Sequence, residues 1–196
     1  MTTEVRHDAA LLRRPSRRAA TLEEFWSLPE SVLPTEYIDG EIIMAPAPTV
    51  PHQRLLGNIY FQLRQFVMAH KLGECFFSPL DVVLPTGDVV QPDVIFLPVA
   101  AAEAARGAKR IEGAPPLLVE ILSPGSVRHD RLTKRSLYER NGVGEYWIVD
   151  PDARTLVQLI LRGGGYTAAE LSEGDVVRSE VLAGFEARVA DLLGAA

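Results

Sequence analysis

An α/β fold, a central mixed β-sheet flanked by helices, is predicted by the order in which hydrophobic patterns succeed one another along the 196 residues. A helical period is followed by four short apolar runs, then by a second helical stretch and a further set of runs, an order that layers helices on a sheet. Proline and glycine punctuate most junctions between these segments. The length suits one domain, and 47% hydrophobic with 23% charged residues is the composition of a chain that buries a core.

Residues 1–20 lack hydrophobic periodicity and read as a flexible N-terminal tail, with the domain occupying 21–196. A basic arm touching phosphates is the alternative for that tail. Thr21 can cap a short helix, with Glu24 three residues on and Phe25 and Trp26 turned inward. Tyr37–Met44 reads as a hairpin turning at Asp39-Gly40. Prolines 46, 48 and 51 lead into a helix over 52–70, where Leu55, Leu56, Ile59, Leu63, Phe66 and Val67 follow the 3.6-residue period and Gly73 supplies the stop. Strands are expected at 75–77, 81–84, 94–97 and 117–122; the alanine-rich stretch over 99–108 reads foremost as a flexible connection, with one or two helical turns as the alternative. A helix over 128–141, ended by Gly142, precedes a buried strand, Glu145–Asp150, stopped by Pro151. Strands at 155–161 and 175–179 and a closing helix at 186–193 complete the expectation.

Charge and cysteine content narrow the function classes. The formal net charge is −6, yet the first twenty residues carry five arginines against Glu4 and Asp8, a local +3 that leaves −9 elsewhere. Such an acidic body argues against passive coating of nucleic acid, which depends on neutralising phosphates. It suits carboxylates gathered around a divalent cation, because the ion brings the positive charge. A single cysteine, Cys75, excludes an internal disulfide and any Cys/His zinc spacing. No apolar run is long enough to span a bilayer and no secretory leader is evident, so a cytoplasmic protein without membrane association is expected.

Two apolar strands carry an acid: Asp93 opens the run Val94–Leu97, and Glu120 sits inside Leu117–Leu122. Buried charge is rare without a partner, and two such acids on neighbouring strands would repel unless a cation or a proton lay between them. The plainer readings are a turn at Pro92-Asp93 and an arginine partner for Glu120. Helical spacing places Asp130, Lys134, Leu137, Tyr138 and Asn141 on one face, so Lys134 projects with the apolar pair toward the sheet. An ammonium aimed at two carboxylates can orient an attacking water and stabilise charge on phosphate. A surface Asp130–Lys134 pair is the alternative.

These segments resemble the Uma2 family, assigned to the PD-(D/E)XK restriction endonuclease-like superfamily. The resemblance rests on Ile38-Asp39-Gly40-Glu41, Ala47 to Gln53, Gln91-Pro92-Asp93, Val119 to Pro124, Asp130, Lys134, Tyr138, and Gly142 to Pro151, and extends from Thr21 to the C-terminus. It implies a restriction endonuclease-like core in which Asp93 and Glu120, joined by the backbone carbonyl of Ile121, bind Mg²⁺, with Mn²⁺ as a possible substitute. The superfamily pattern places a lysine two residues after the glutamate, where this chain has Leu122. Lys134, fourteen residues after Glu120, resembles a migrated replacement. Glu41 resembles an additional acid of the site or is a strand-edge residue, and His52 and Gln53 either line the cleft or merely open a helix. Glu145 is expected to hold an arginine or lysine, with Tyr146 and Trp147 packing the core.

The implied function is metal-dependent hydrolysis of phosphodiesters in nucleic acid, DNA foremost, with a homodimer acting on two strands. Its main rival is a non-catalytic module that keeps the nuclease fold to bind nucleic acid or protein. Glycoside hydrolysis by two carboxylates is a third reading, weakened by the scarcity of aromatics and the absence of a task for Lys134.

Overall fold

The structure, a computed structural model, describes residues 16–29, 33–123 and 129–194. Its principal sheet has six strands, taken across as β12 (Gly165–Ser172), β11 (Thr155–Arg162), β10 (Glu145–Asp150), β9 (Leu117–Ile121), β7 (Val94–Pro98) and β4 (Gly73–Phe77). Only β9 and β10 run parallel; the other neighbours are antiparallel. Parallel neighbours need a crossover that returns the chain to the starting end of the sheet. The connection from β9 to β10 contains a π-helical turn, His129–Lys134, that continues into α4 (Arg135–Arg140). This crossover sets Lys134 above one face of the sheet.

Strand alternation builds the two cores. Leu117, Val119 and Ile121 enter one, whereas Leu118 and Leu122 enter the other, so Glu120 falls on the second face. The first face is covered by α2 (Val50–Ala69), which buries Leu55, Leu56, Ile59, Leu63 and Val67, and by α5 (Val189–Leu193). The Thr49 hydroxyl accepts from the His52 N–H at 3.4 Å, capping α2 and fixing its first turn beside the sheet.

Leu137 and Tyr138 of α4 cover the second face together with a smaller sheet. That sheet is ordered β1 (Ser16–Ala19), β3 (Glu41–Met44), β2 (Thr35–Ile38), β6 (Val89–Val90), β5 (Val82–Val83), β8 (Ile111–Glu112). The β2–β3 hairpin turns through Asp39 and Gly40 at φ of 50° and 80°, the left-handed pair a two-residue hairpin turn requires. One side of the hairpin sends Ile38 and Ile43 to the second core. The other packs Ile42 against Phe25 of α1 (Leu22–Trp26), whose capping box joins Thr21 and Glu24 as expected.

Several elements depart from the sequence reading. Ser16–Ala19, expected within the tail, is a strand paired with β3; residues 1–15 lie outside the described residues. All four β1 side chains are exposed, so the strand depends on backbone pairing and leaves no hydrophobic trace. The alanine-rich stretch forms α3 (Val99–Ala104) rather than a flexible connection. The expected closing helix begins as β14 (Glu186–Arg188), which pairs with β13 (Val176–Arg178) before α5 starts. Strand β12 was not anticipated, because it is an edge strand with Tyr166 as its one buried residue.

Candidate active site

Antiparallel pairing of β7 and β9 matches Val94 with Val119, and one more step of that register sets Asp93 opposite Glu120. Both acids are buried, at 8% and 4% exposure. Asp93 stands just before β7, and its Oδ2 accepts the backbone N–H of Ile121 at 2.8 Å. The same oxygen lies 3.3 Å from His52 Nε2, while Ser78 Oγ donates to Oδ1 at 3.4 Å. The His52 imidazole thus comes to Asp93 from the first turn of α2.

Glu120 is held from the opposite layer. Its Oε1 accepts from Lys134 Nζ at 2.8 Å and from the Tyr138 hydroxyl at 2.8 Å. The i,i+4 spacing of Lys134 and Tyr138 places both donors on one helical face, which is why a single carboxylate oxygen meets them together. Lys134 is 4% exposed and also contacts Glu36 Oε1 at 2.8 Å. Glu36, on β2, is itself buried and accepts the Gln91 backbone N–H at 2.9 Å. Two buried carboxylates therefore converge on one buried ammonium. Each desolvated charge is tolerable only because it keeps an opposite charge and hydrogen bonds in place of water.

A neighbouring latch sets the distance between the layers. Arg140 of α4 contacts Asp39 at 2.5 Å and Asp88 at 3.2 Å, tying the helix to the hairpin that carries Glu36. Burial opposes its charge, but hydrogen bonds to Asp39 and Asp88 outweigh that and hold the guanidinium above its ordinary pKa. Asp39, Asp88 and Arg140 border an open hollow of about 470 Å³, also lined by Tyr37 and Thr86.

The expected residues are distributed unequally. Glu120 and Lys134 are in direct contact, and Asp93 meets the peptide N–H immediately after Glu120. Ile121 contributes that N–H, with its side chain in the core under α2. Glu41 is not among the acids around Lys134: it sits at the hairpin end, half exposed, with Arg17 at 3.5 Å. Pairing of Ile38 with Glu41 and of Glu36 with Ile43 puts both glutamates on one face, two strand positions apart, about 7 Å along the strand. Glu36 is the acid that sequence reasoning missed. The rule that singled out Glu120, an acid inside an apolar strand, applies equally to Thr35-Glu36-Tyr37-Ile38 once the hairpin is started two residues earlier. Gln53 is exposed, whereas His52 joins the site. The side chain of Asp130 lies outside the described residues.

Glu145 is corrected as well. It is fully buried and accepts from Trp147 Nε1, Gln158 Nε2, Ser179 Oγ and the N–H groups of Glu180 and Val181, rather than holding a cation. Neutral donors replace the expected arginine or lysine because the chain after β13 wraps its peptide groups around the carboxylate.

Chemically, the arrangement offers hard carboxylate oxygens and an ammonium in one place. Oxygen donors of this kind match Mg²⁺ or Mn²⁺, so the donor chemistry of Asp93 and Glu120 fits such an ion. Among the described residues, however, no three His, Cys, Asp or Glu side chains are gathered as a ready metal cage. Among the described residues, the Lys134 ammonium that contacts Glu120 is shared with Glu36.

Comparison with known proteins gives a consistent result. A family model described as "Uma2: Putative restriction endonuclease" matches residues 22–190. Among solved structures, one titled "a putative nuclease belonging to DUF820", from Anabaena variabilis ATCC 29413, superposes with a TM-score of 0.76 at 22% identity. The match covers 88% of this chain and 97% of that one, and it establishes a shared fold. No curated protein matches the chain.

Proposed function

Because the chain belongs to the Uma2 family, we propose that it is a divalent-metal-dependent endonuclease that hydrolyses phosphodiester bonds of nucleic acid, DNA foremost. The observation that carries this reading is the 2.8 Å contact between Lys134 Nζ and Glu120 Oε1. A lysine fourteen residues from the glutamate, on a different element, reaches the acid that the superfamily pattern would serve with a lysine two residues away.

Asp93 and Glu120, with the carbonyl of Ile121, are the groups that would hold Mg²⁺ or its substitute Mn²⁺. When bound, the ion would polarise the scissile phosphate and lower the pKa of a coordinated water. The chain's own residues supply the rest. Lys134 holds and orients the attacking water and offsets charge on the phosphate oxygens. Tyr138 keeps Glu120 turned toward Lys134, and the Ile121 N–H keeps Asp93 beside it. His52 fixes the other side of Asp93 from α2. Two copies of the chain on a two-stranded substrate are the assembly this activity suggests.

Cleavage of plasmid and single-stranded substrates with Mg²⁺ or Mn²⁺ tests the reading. Wild-type protein is expected to cut, and Asp93→Ala and Lys134→Ala to lose cutting by about 100-fold or more. Equal cutting by all three proteins would reveal a contaminant and end the assignment. One observation favours the non-catalytic alternative: Asp93 and Glu120 are already occupied by protein donors. Calorimetric titration with Mn²⁺ separates the two, because a pure binding scaffold would take up no ion that Asp93→Asn abolishes.

A further inference from the structure

The bridging ammonium of Lys134 leads beyond that assignment, although it rests on the same metal reading. Lys134 Nζ stands 2.8 Å from an oxygen of Glu120 and 2.8 Å from an oxygen of Glu36. The two acceptors are anchored differently. Glu36 Oε1 is also bound by a backbone N–H, that of Gln91, two residues before Asp93. Glu120 Oε1 is bound by side chains of the crossover helix, Lys134 and Tyr138. Besides Lys134, Glu36 thus has a partner in the peptide framework, whereas Lys134 and Tyr138 reach Glu120 through their side chains.

We propose that Glu36 is a positioning residue that keeps the Lys134 ammonium when Glu120 turns to a divalent cation. In the state described, Lys134 serves as the counter-ion of Glu120. A divalent ion at Asp93 and Glu120 competes with that ammonium for the same carboxylate. Leaving Glu120 would strand a buried charge unless a second carboxylate were in place, and removing one member of such a pair is costly. Glu36 is already at contact distance, so Lys134 can yield Glu120 without crossing the site or losing its charge. The lysine then remains beside the acids, oriented toward the position of the attacking water. Glu36 acts through Lys134 in this scheme and is not a metal ligand.

Mn²⁺ binding measured by calorimetry on four proteins tests the scheme without reference to cleavage: wild type, Glu36→Gln, Lys134→Gln and the double variant. Lys134→Gln keeps a hydrogen-bond donor but removes the competing charge, and is expected to bind Mn²⁺ about tenfold more tightly. Glu36→Gln removes one of the two carboxylates seen against Lys134, ties the ammonium more closely to Glu120, and is expected to bind about tenfold more weakly. That weakening should vanish when Lys134 is also replaced. Persistence of the loss in the double variant would make Glu36 a ligand or a merely structural residue and overturn the proposal. Equal affinity of wild type and Lys134→Gln would overturn it too, while leaving metal binding intact. Binding by none of the four would instead refute the metal reading on which both rest. If Lys134→Gln does not fold, Lys134→Arg keeps the charge and is expected to bind Mn²⁺ more weakly than wild type, since a guanidinium can grip both carboxylates; unchanged or tighter binding would count against the scheme.

Discussion

Replacing Glu145 by glutamine should lower the melting temperature by several degrees, although one atom changes identity and the shape barely alters. All five hydrogen-bond partners of this buried carboxylate are donors. Trp147 Nε1 and Gln158 Nε2 approach Oε1 at 2.6 and 2.8 Å. Ser179 Oγ approaches Oε2 at 2.7 Å, and the N–H groups of Glu180 and Val181 at 3.0 Å each. A glutamine must present its NH₂ to one of these two sets. Facing the Ser179–Val181 set would oppose three donors, so the amide should turn its nitrogen toward Trp147 and Gln158. Gln158 can rotate its own amide in response, at the cost of its bond to the Arg178 carbonyl. The indole N–H of Trp147 cannot, and a buried donor without an acceptor costs about 1–3 kcal/mol. Loss of charge assistance in the remaining bonds brings the total to about 3 kcal/mol. For a domain of this size that is a fall of roughly 6–12 °C. Thermal unfolding followed by far-UV circular dichroism measures it, with tryptophan fluorescence reporting the indole environment. A melting temperature within about 2 °C of wild type, or a milder effect for Glu145→Ala than for Glu145→Gln, would refute the argument that five donors define this site.

Gly57→Ala should raise stability by about 0.5–1 kcal/mol, because this glycine lies inside α2 with nothing within 4 Å of an added Cβ. Gly73→Ala should destabilise strongly or prevent folding, since its φ is +149° and a Cβ would sit 1.9 Å from the Leu97 carbonyl oxygen; paired urea titrations of the two variants give the signs. Tyr138→Phe removes a hydroxyl bound to Glu120 and should cost about 1.5–3 kcal/mol in the same titration. Stability should also fall above pH 9. Burial pushes the Cys75 thiol up to about 12 and raises the Tyr166 phenol, so the unfolded chain releases protons that the folded chain retains. Unfolding free energies should therefore decline from pH 9 to 11, and a flat profile would contradict that burial.

Burial and helical period made much of this molecule legible in advance. The amphipathic pattern of α2 and the apolar runs of β7, β9 and β10 are strong because each buries several large side chains. The acids Asp93 and Glu120 stood out for the same reason, and helical spacing put Lys134 on the face of Leu137 and Tyr138, where it lies. Elements stabilised mainly by backbone pairing, β1 and β12, carry no such signal. Glu41 illustrates a subtler failure. It shares a strand face with Glu36, so alternation could not choose between them, and only the docking of the hairpin against α4 did.

The amino-acid order by itself determined the long helix α2, the buried strands β7, β9 and β10, the placement of Asp93 and Glu120 in apolar surroundings, and the family to which the chain belongs. These are properties of local periodicity and of the cost of burying charge, both written in neighbouring residues. Tertiary structure alone decided that Glu36 rather than Glu41 meets Lys134, that His52 comes to Asp93, and that Glu145 holds neutral donors. Each of those contacts joins elements distant in sequence, and a carboxylate selects its partner by which donors folding brings within about 3 Å.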